Sequence, residues 1–185
     1  MKRKFALFYI LVTSLCLMAF AFIMFHASGY QVNRSASLPF LIYKTTPLAQ
    51  EAEIRRGDCV LIDLSKTSNP IIDRGVERGY VNLREPMLKR IGAIPGDTVM
   101  LMDGFLSVNG ESIKITVASH DSYGRELSAW PDLRLSPYGD GRVATPITLP
   151  PGQYWLVSDP ERGFDSRYFG PVNRSVFTHR ANPVF

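Results

Sequence analysis

A single mainly-β domain tethered by one membrane-crossing helix is the fold class the sequence predicts, and three observations predict it. One long uncharged run fills most of the first 25 residues, from Phe5 to Phe25. The remainder breaks into short β-branched and aromatic stretches. Gly, Pro, Asn or Asp punctuates nearly all of those stretches, and helical periodicity is weak. A chain of 185 residues has room for one such domain and little more.

The uncharged run, "FALFYILVTSLCLMAFAFIMF", holds 21 residues. At 1.5 Å per residue it matches a bilayer core of roughly 30 Å. Lys2, Arg3 and Lys4 precede it, which places residues 1–4 in the cytoplasm by the positive-inside rule. Residues 5–25 then form a transmembrane signal anchor and residues 26–185 an extracytoplasmic domain. A cleaved signal peptide is the alternative, because Ala19-Phe20-Ala21 has the A-x-A form. The apolar run continues through Phe22–Phe25 beyond that cut, which favours an uncleaved anchor.

After the span, "CVLIDL" (59–64), "MLKRIGAI" (87–94), "TVMLMD" (98–103), "FLSVNG" (105–110), "SIKITV" (112–117) and "QYWLVS" (153–158) read as strands. Asp103-Gly104 and Asn109-Gly110 are tight-turn dipeptides that favour hairpins. "PIIDRGVERGY" (70–80) holds a turn or two of helix. The Ser-, Gly-, Pro- and Asp-rich segment at about 118–148 reads as an irregular insertion or a small β excursion.

Charge and cysteine content narrow the function. Three of the 21 basic residues are Lys2, Arg3 and Lys4, which leaves 18 against 17 acidic ones. Without a basic stripe interleaved with aromatics, nucleic-acid binding is not expected. Cys16 lies in the span and Cys59 in a strand-like run, a pairing that geometry disfavours. Cys59 reads as a small buried hydrophobe. His26, His120 and His179 show no metal-ligand spacing, and neither metal nor organic cofactor is expected. "SHDS" (119–122) contains the residue types of a triad, but adjacent side chains in a turn-rich segment do not converge on one point.

Lys89 stands out because it interrupts an apolar strand-like run. A lysine in such a run usually snorkels to the surface. Turned inward, its ammonium loses hydration and its pKa falls. Lowering it from about 10.4 to about 7 costs roughly 4.6 kcal/mol against the charged form. The product is a neutral amine able to take a proton from a serine hydroxyl.

Four blocks, "NRSASLPFLIY" (33–43), "RRGDCVLIDL" (55–64), "LKRIGAIPGD" (88–97) and "GFDSRYFGPV" (163–172), occur in one order behind the single apolar span. In this the chain resembles the type I signal peptidases, and within them the TraF-type peptidases of conjugative plasmids. The resemblance implies a signal peptidase I-like β-domain and a Ser/Lys dyad. On the pattern N-x-[ST]-x-S-x-P, matched by Asn33, Ser35, Ser37 and Pro39, Ser37 is the implied nucleophile. Lys89 is the implied general base, and Ser35 an implied oxyanion donor beside the Ser37 N–H. Asp165 and Arg167 match a "DSR" block that supports the site through an ion pair. Gly163 departs from the family, which often carries there a serine that bonds the lysine amine. Leu41 departs where glycine is frequent.

What the resemblance implies for function is a membrane-anchored serine endopeptidase of the bacterial inner membrane, with its catalytic domain in the periplasm. Its substrate would be a membrane-associated propilin or signal-peptide-bearing precursor processed for conjugative transfer, with cyclisation of the pilin subunit as a further possibility. Two rivals stand beside this reading. One is a general leader peptidase; the other is a non-catalytic structural component of a transfer apparatus. Self-cleaving repressors with a similar dyad are disfavoured, because no helical DNA-binding module precedes the β-domain.

Overall fold

A computed structural model of the chain describes residues 2–34, 37–102, 105–127, 146–159 and 163–184. It opens with α1 (Lys2–Ala27), whose stretch Phe5–Ala27 is long and apolar enough to cross a membrane. Its large apolar side chains from Phe5 to Met24 are exposed outside the domain. Two residues later the chain enters β1 (Tyr30–Val32). Gly29 permits this abrupt change: its φ is +78°, and a Cβ there would lie 2.8 Å from the Thr45 carbonyl oxygen. The Gly29 carbonyl accepts the Thr45 N–H at 2.7 Å and the Thr45 hydroxyl at 2.8 Å. The Phe25 ring stacks on Tyr30 with centroids 5.2 Å apart. The root of the helix is therefore tied directly to β2 (Ile42–Pro47).

The strands that follow are β3 (Cys59–Ile62), β4 (Met87–Ala93), β5 (Thr98–Met102), β6 (Phe105–Val108), β7 (Glu111–Thr116), β8 (Ile147–Thr148), β9 (Gln153–Val157), β10 (Val172–Asn173) and β11 (Phe177–Pro183). They make two antiparallel sheets: a seven-stranded sheet ordered β1-β2-β11-β3-β4-β9-β10, and a four-stranded sheet ordered β7-β6-β5-β8. Each run read as a strand from the sequence overlaps one, β7 starting one residue before its run. The first is shorter than its run, because Leu64 already belongs to a 3-10 turn, Leu64–Lys66. The helical reading at 70–80 corresponds to α2 (Pro70–Glu77), with Pro70 in its first turn. The Asn69 side chain caps α2 by accepting the Ile71 N–H. Asn109 and Gly110 both take positive φ, as a tight hairpin turn requires. The Asp103-Gly104 turn lies outside the described residues. So does 128–145, most of the expected insertion, whose described part includes a bridge between His120 and Glu126 and the strand β8.

Strand alternation divides the core and aims the site. Val60 and Ile62 of β3 and Ile91 of β4 point to one face of the large sheet, where they pack with Ile72, Leu156 and Phe169. Leu61 and Leu88 point to the other, against Leu38, Tyr43 and Ala181. Lys89 pairs with Val60 and so points to the first face. The register of β4 shifts between Ile91 and Ala93. This bulge sends Ala93 into a third cluster with Trp155, Val157 and residues of the small sheet. Gly92 sits in the bulge, where a Cβ would lie 2.8 Å from a Val157 methyl. The turn "PGD" is fastened to the second block, because Arg56 Nε donates to Asp97 Oδ2 at 2.6 Å and Ile94 N–H to the same oxygen at 2.9 Å.

Candidate active site

Ser37 lies in the loop that joins β1 to β2, and it is 4% exposed. The Asp159 N–H, two residues past the end of β9, donates to the Ser37 carbonyl at 2.9 Å. On its other side the Ser37 hydroxyl lies 3.1 Å from the carbonyl of Leu88, and 3.2 Å from Asn33 Oδ1. One hydroxyl carries one proton, so these two acceptors share it in turn. Ser37 is thus wedged between β4 and the continuation of β9, one residue from Lys89 along β4.

Lys89 is 2% exposed, and its Nζ donates to the Ser158 hydroxyl at 2.6 Å. Among the described residues, Ser158 is the hydrogen-bond partner of this amine. Loss of hydration lowers the Lys89 pKa to about 8. The Asp165 carboxylate pulls it upward and the Arg167 guanidinium pushes it down, so the nearby charges oppose each other and burial decides the direction.

Asp165 and Arg167 are both fully buried and form one ion pair. Arg167 Nε donates to Asp165 Oδ1 at 2.8 Å and Nη2 to Oδ2 at 2.7 Å, a fork that only guanidinium geometry supplies. Asp165 also caps α3 (Ser166–Phe169) by accepting the Arg167 N–H. The pair organises the end of β9. Past the two-residue ladder with β10, the Leu156 N–H donates to the Ser166 hydroxyl at 2.9 Å. The Ser158 N–H donates to Asp165 Oδ2 at 2.7 Å. The "DSR" block therefore holds the backbone of Ser158, whose side chain in turn holds the Lys89 amine. Gly163 contributes its carbonyl, which accepts from Arg167 Nη2 at 2.9 Å.

The structure thus brings Ser37, Lys89, Asp165 and Arg167 into one buried region, while Ser35 lies outside the described residues. Sequence reading missed Ser158. With Gly163 where the family often has a serine, the orientation of Lys89 was left unassigned, and its partner comes instead from Ser158, 69 residues after Lys89 and just past the end of the neighbouring strand β9. Its signal was a serine closing an otherwise buried strand on the same face as Leu156. The "SHDS" segment forms no triad: the Asp121 carboxylate accepts from the Tyr80 hydroxyl, Arg125 Nε and the Tyr123 and Arg125 N–H groups. Cys59 is half-buried with its thiol pushed up to about 11, first by burial, which makes it a poor nucleophile.

Among the described residues, two clefts are lined by residues that bond Ser37. One of about 400 Å³ is lined by Asn33, Arg34, Leu61, Tyr80, Met87 and Leu88. The other, about 420 Å³, is lined by Leu38, Phe40, Tyr43, Arg90, Asp159 and Arg180. Asn33 and Leu88, which hold the Ser37 hydroxyl, belong to the first; Asp159, which holds its carbonyl, belongs to the second.

Residues 4–185 match the family model described as signal peptidase, peptidase S26. A plasmid transfer protein TraF of Escherichia coli is 30% identical over 167 residues, 86% of this chain and 84% of that protein. A conjugal transfer protein TraF of Agrobacterium fabrum is 29% identical over 164 residues, 85% of this chain and 82% of that protein. A signal peptidase I of Bacillus licheniformis is 28% identical over 127 residues, 68% of this chain and 54% of that protein.

Proposed function

From the signal peptidase family, peptidase S26, to which this chain belongs, we propose a membrane-anchored serine endopeptidase in which Ser37 attacks and Lys89 takes its proton. The observation that carries the reading is the placement of a buried serine hydroxyl against β4 beside a buried lysine whose amine is deprived of water. Burial makes the neutral amine accessible near neutral pH, and a neutral amine is the form that can act as base.

The steps follow from that chemistry. The Ser37 hydroxyl turns from Asn33 and Leu88 toward Lys89 and attacks the substrate carbonyl carbon, while its proton passes to Lys89 Nζ. The oxyanion is held by the Ser37 N–H and Ser35. The Lys89 ammonium then gives its proton to the departing amine, the C–N bond breaks, and an acyl ester remains on Ser37. Water or a second amine attacks that ester and frees the serine. Ser158 keeps the Lys89 amine at the site through both transfers.

The substrate class we favour is a propilin-like precursor of a conjugative transfer system, because relatives named for conjugal or plasmid transfer match more than four-fifths of the chain. The periplasmic face of the bacterial inner membrane is the place that fits α1 and its preceding positive charges. Only 11 residues separate Phe25 from Ser37, and the Gly29 junction shortens the path further, so the site sits close to the bilayer surface. A substrate that is itself membrane-embedded fits that height.

Mass spectrometry of propilin incubated with the full-length protein tests this reading. The expected product lacks its leader, and a mass lower by one further water marks head-to-tail closure. Processing of ordinary exported precursors with propilin left intact would move the chain to the general leader peptidases. No cleavage of either would leave a structural component of the transfer apparatus.

A further inference from the structure

The loop that carries Ser37 is built around one side chain. Asn33 follows β1 directly, and its N–H donates to the Leu41 carbonyl at 2.8 Å, one step beyond the Val32–Ile42 pair. That bond closes the neck of the β1–β2 hairpin, and Ser37 lies in the loop beyond it. The Asn33 side chain turns into this loop and is buried, 6% exposed. Its Nδ2 donates to the Leu38 carbonyl at 2.7 Å and the Phe40 carbonyl at 3.1 Å. Its Oδ1 accepts from the Ser37 hydroxyl.

A primary amide of this length is required here. It supplies two donors and an acceptor from one planar group. Aspartate would keep the acceptor and present its charge to two carbonyl oxygens; serine and threonine are too short and carry one donor; leucine offers none. A side chain that served only to cap a turn would bond backbone groups alone. The Asn33 oxygen instead meets the hydroxyl of the proposed nucleophile.

We propose that Asn33 is a positioning residue for the attack by Ser37, fixing both the path of the nucleophile loop and the resting direction of the hydroxyl. The inference rests on the Ser37–Lys89 reading. The amide holds the carbonyls of Leu38 and Phe40 inward, which sets the height of Ser37 between β4 and Asp159. It also gives the hydroxyl proton a second acceptor on the side of the Leu88 carbonyl, so Oγ waits in a narrow range of directions. A displacement of the reacting atom by about 1 Å costs about a hundredfold in rate.

The test uses the full-length protein in detergent micelles with purified propilin, comparing wild type, Asn33→Ala, Asn33→Asp and Ser37→Ala. Rates are expressed per folded molecule, with the folded fraction taken from near-UV circular dichroism at the assay temperature. Asn33→Ala and Asn33→Asp are expected to lower single-turnover cleavage about a hundredfold. For Asn33→Ala, KM should stay within about threefold of wild type and the acid limb of the pH profile should not move, because Lys89 is untouched. A per-molecule rate within about threefold of wild type in both Asn33 variants would overturn the inference. So would a loss accounted for entirely by a smaller folded fraction. Retained cleavage by Ser37→Ala would instead remove the dyad, and this inference with it.

Discussion

Ser37→Ala and Lys89→Ala are each expected to lower processing by about a thousandfold or more, with the protein still folded and membrane-bound. Each variant deletes one end of the same proton transfer, so the double variant should be scarcely worse than either alone. Lys89→Arg should fail as completely, because a guanidinium stays protonated and cannot act as base. Lys89→Met separates catalysis from stability. In the folded chain the Lys89 pKa is depressed to about 8 from an ordinary 10.5, so the unfolded chain binds the additional proton between those values. Stability therefore rises as pH climbs from about 8 toward 10.5, and below pH 8 the lysine is a net cost of about 3 kcal/mol. Lys89→Met should be inactive and yet more stable than wild type at neutral pH, by a margin that shrinks as pH rises. Urea denaturation at pH 7 and pH 10, read beside the cleavage assay, checks both halves.

Arg167→Met is expected to carry the largest stability loss in the domain, about 3–5 kcal/mol, seen as a fall in the urea midpoint. The reason is the carboxylate left behind. Asp165 is fully buried, and without the guanidinium fork its carboxylate keeps, among the described residues, the N–H groups of Ser158 and residue 167 as donors. An unpaired buried charge is far more costly than a missing pair. A second effect is chemical. Arg167 opposes the pull of Asp165 on the Lys89 ammonium, so its removal should raise the Lys89 pKa and move the acid limb of the rate profile toward alkaline pH. Asp165→Asn leaves the opposite charge buried and should be comparably destabilising, but the limb should move the other way. An unchanged urea midpoint in Arg167→Met would show that the pair contributes nothing to the fold.

Much of the frame was legible in the sequence because its strands are marked locally. "CVLIDL", "MLKRIGAI" and "QYWLVS" are apolar enough to be buried on both faces, and turn dipeptides separate the hairpin strands. β11 was not legible. Its sequence, "FTHRANP", is polar and ends in proline, yet it lies between β2 and β3 near the middle of the large sheet. Only pairing with residues more than a hundred positions away makes it a strand, and local propensity holds no trace of that. The same distinction divides the site. Ser37 and Lys89 stood out by their company in the four blocks. Ser158 did not, because its meaning comes from a side chain 69 residues earlier, delivered by the β4–β9 register. Asn33 entered only as the first residue of the pattern N-x-[ST]-x-S-x-P, and its place in the loop became visible only with the carbonyls it gathers.

The dependence of kcat/KM on pH, measured on the full-length protein with propilin, tests the central claim most directly. A buried amine acting as base predicts a rate that rises with pH through a single limb centred near 8, falling about tenfold for each unit below roughly pH 7. A rate that stays level from pH 8 down to pH 5, or rises with acidity, would contradict a neutral Lys89 as the group that activates Ser37.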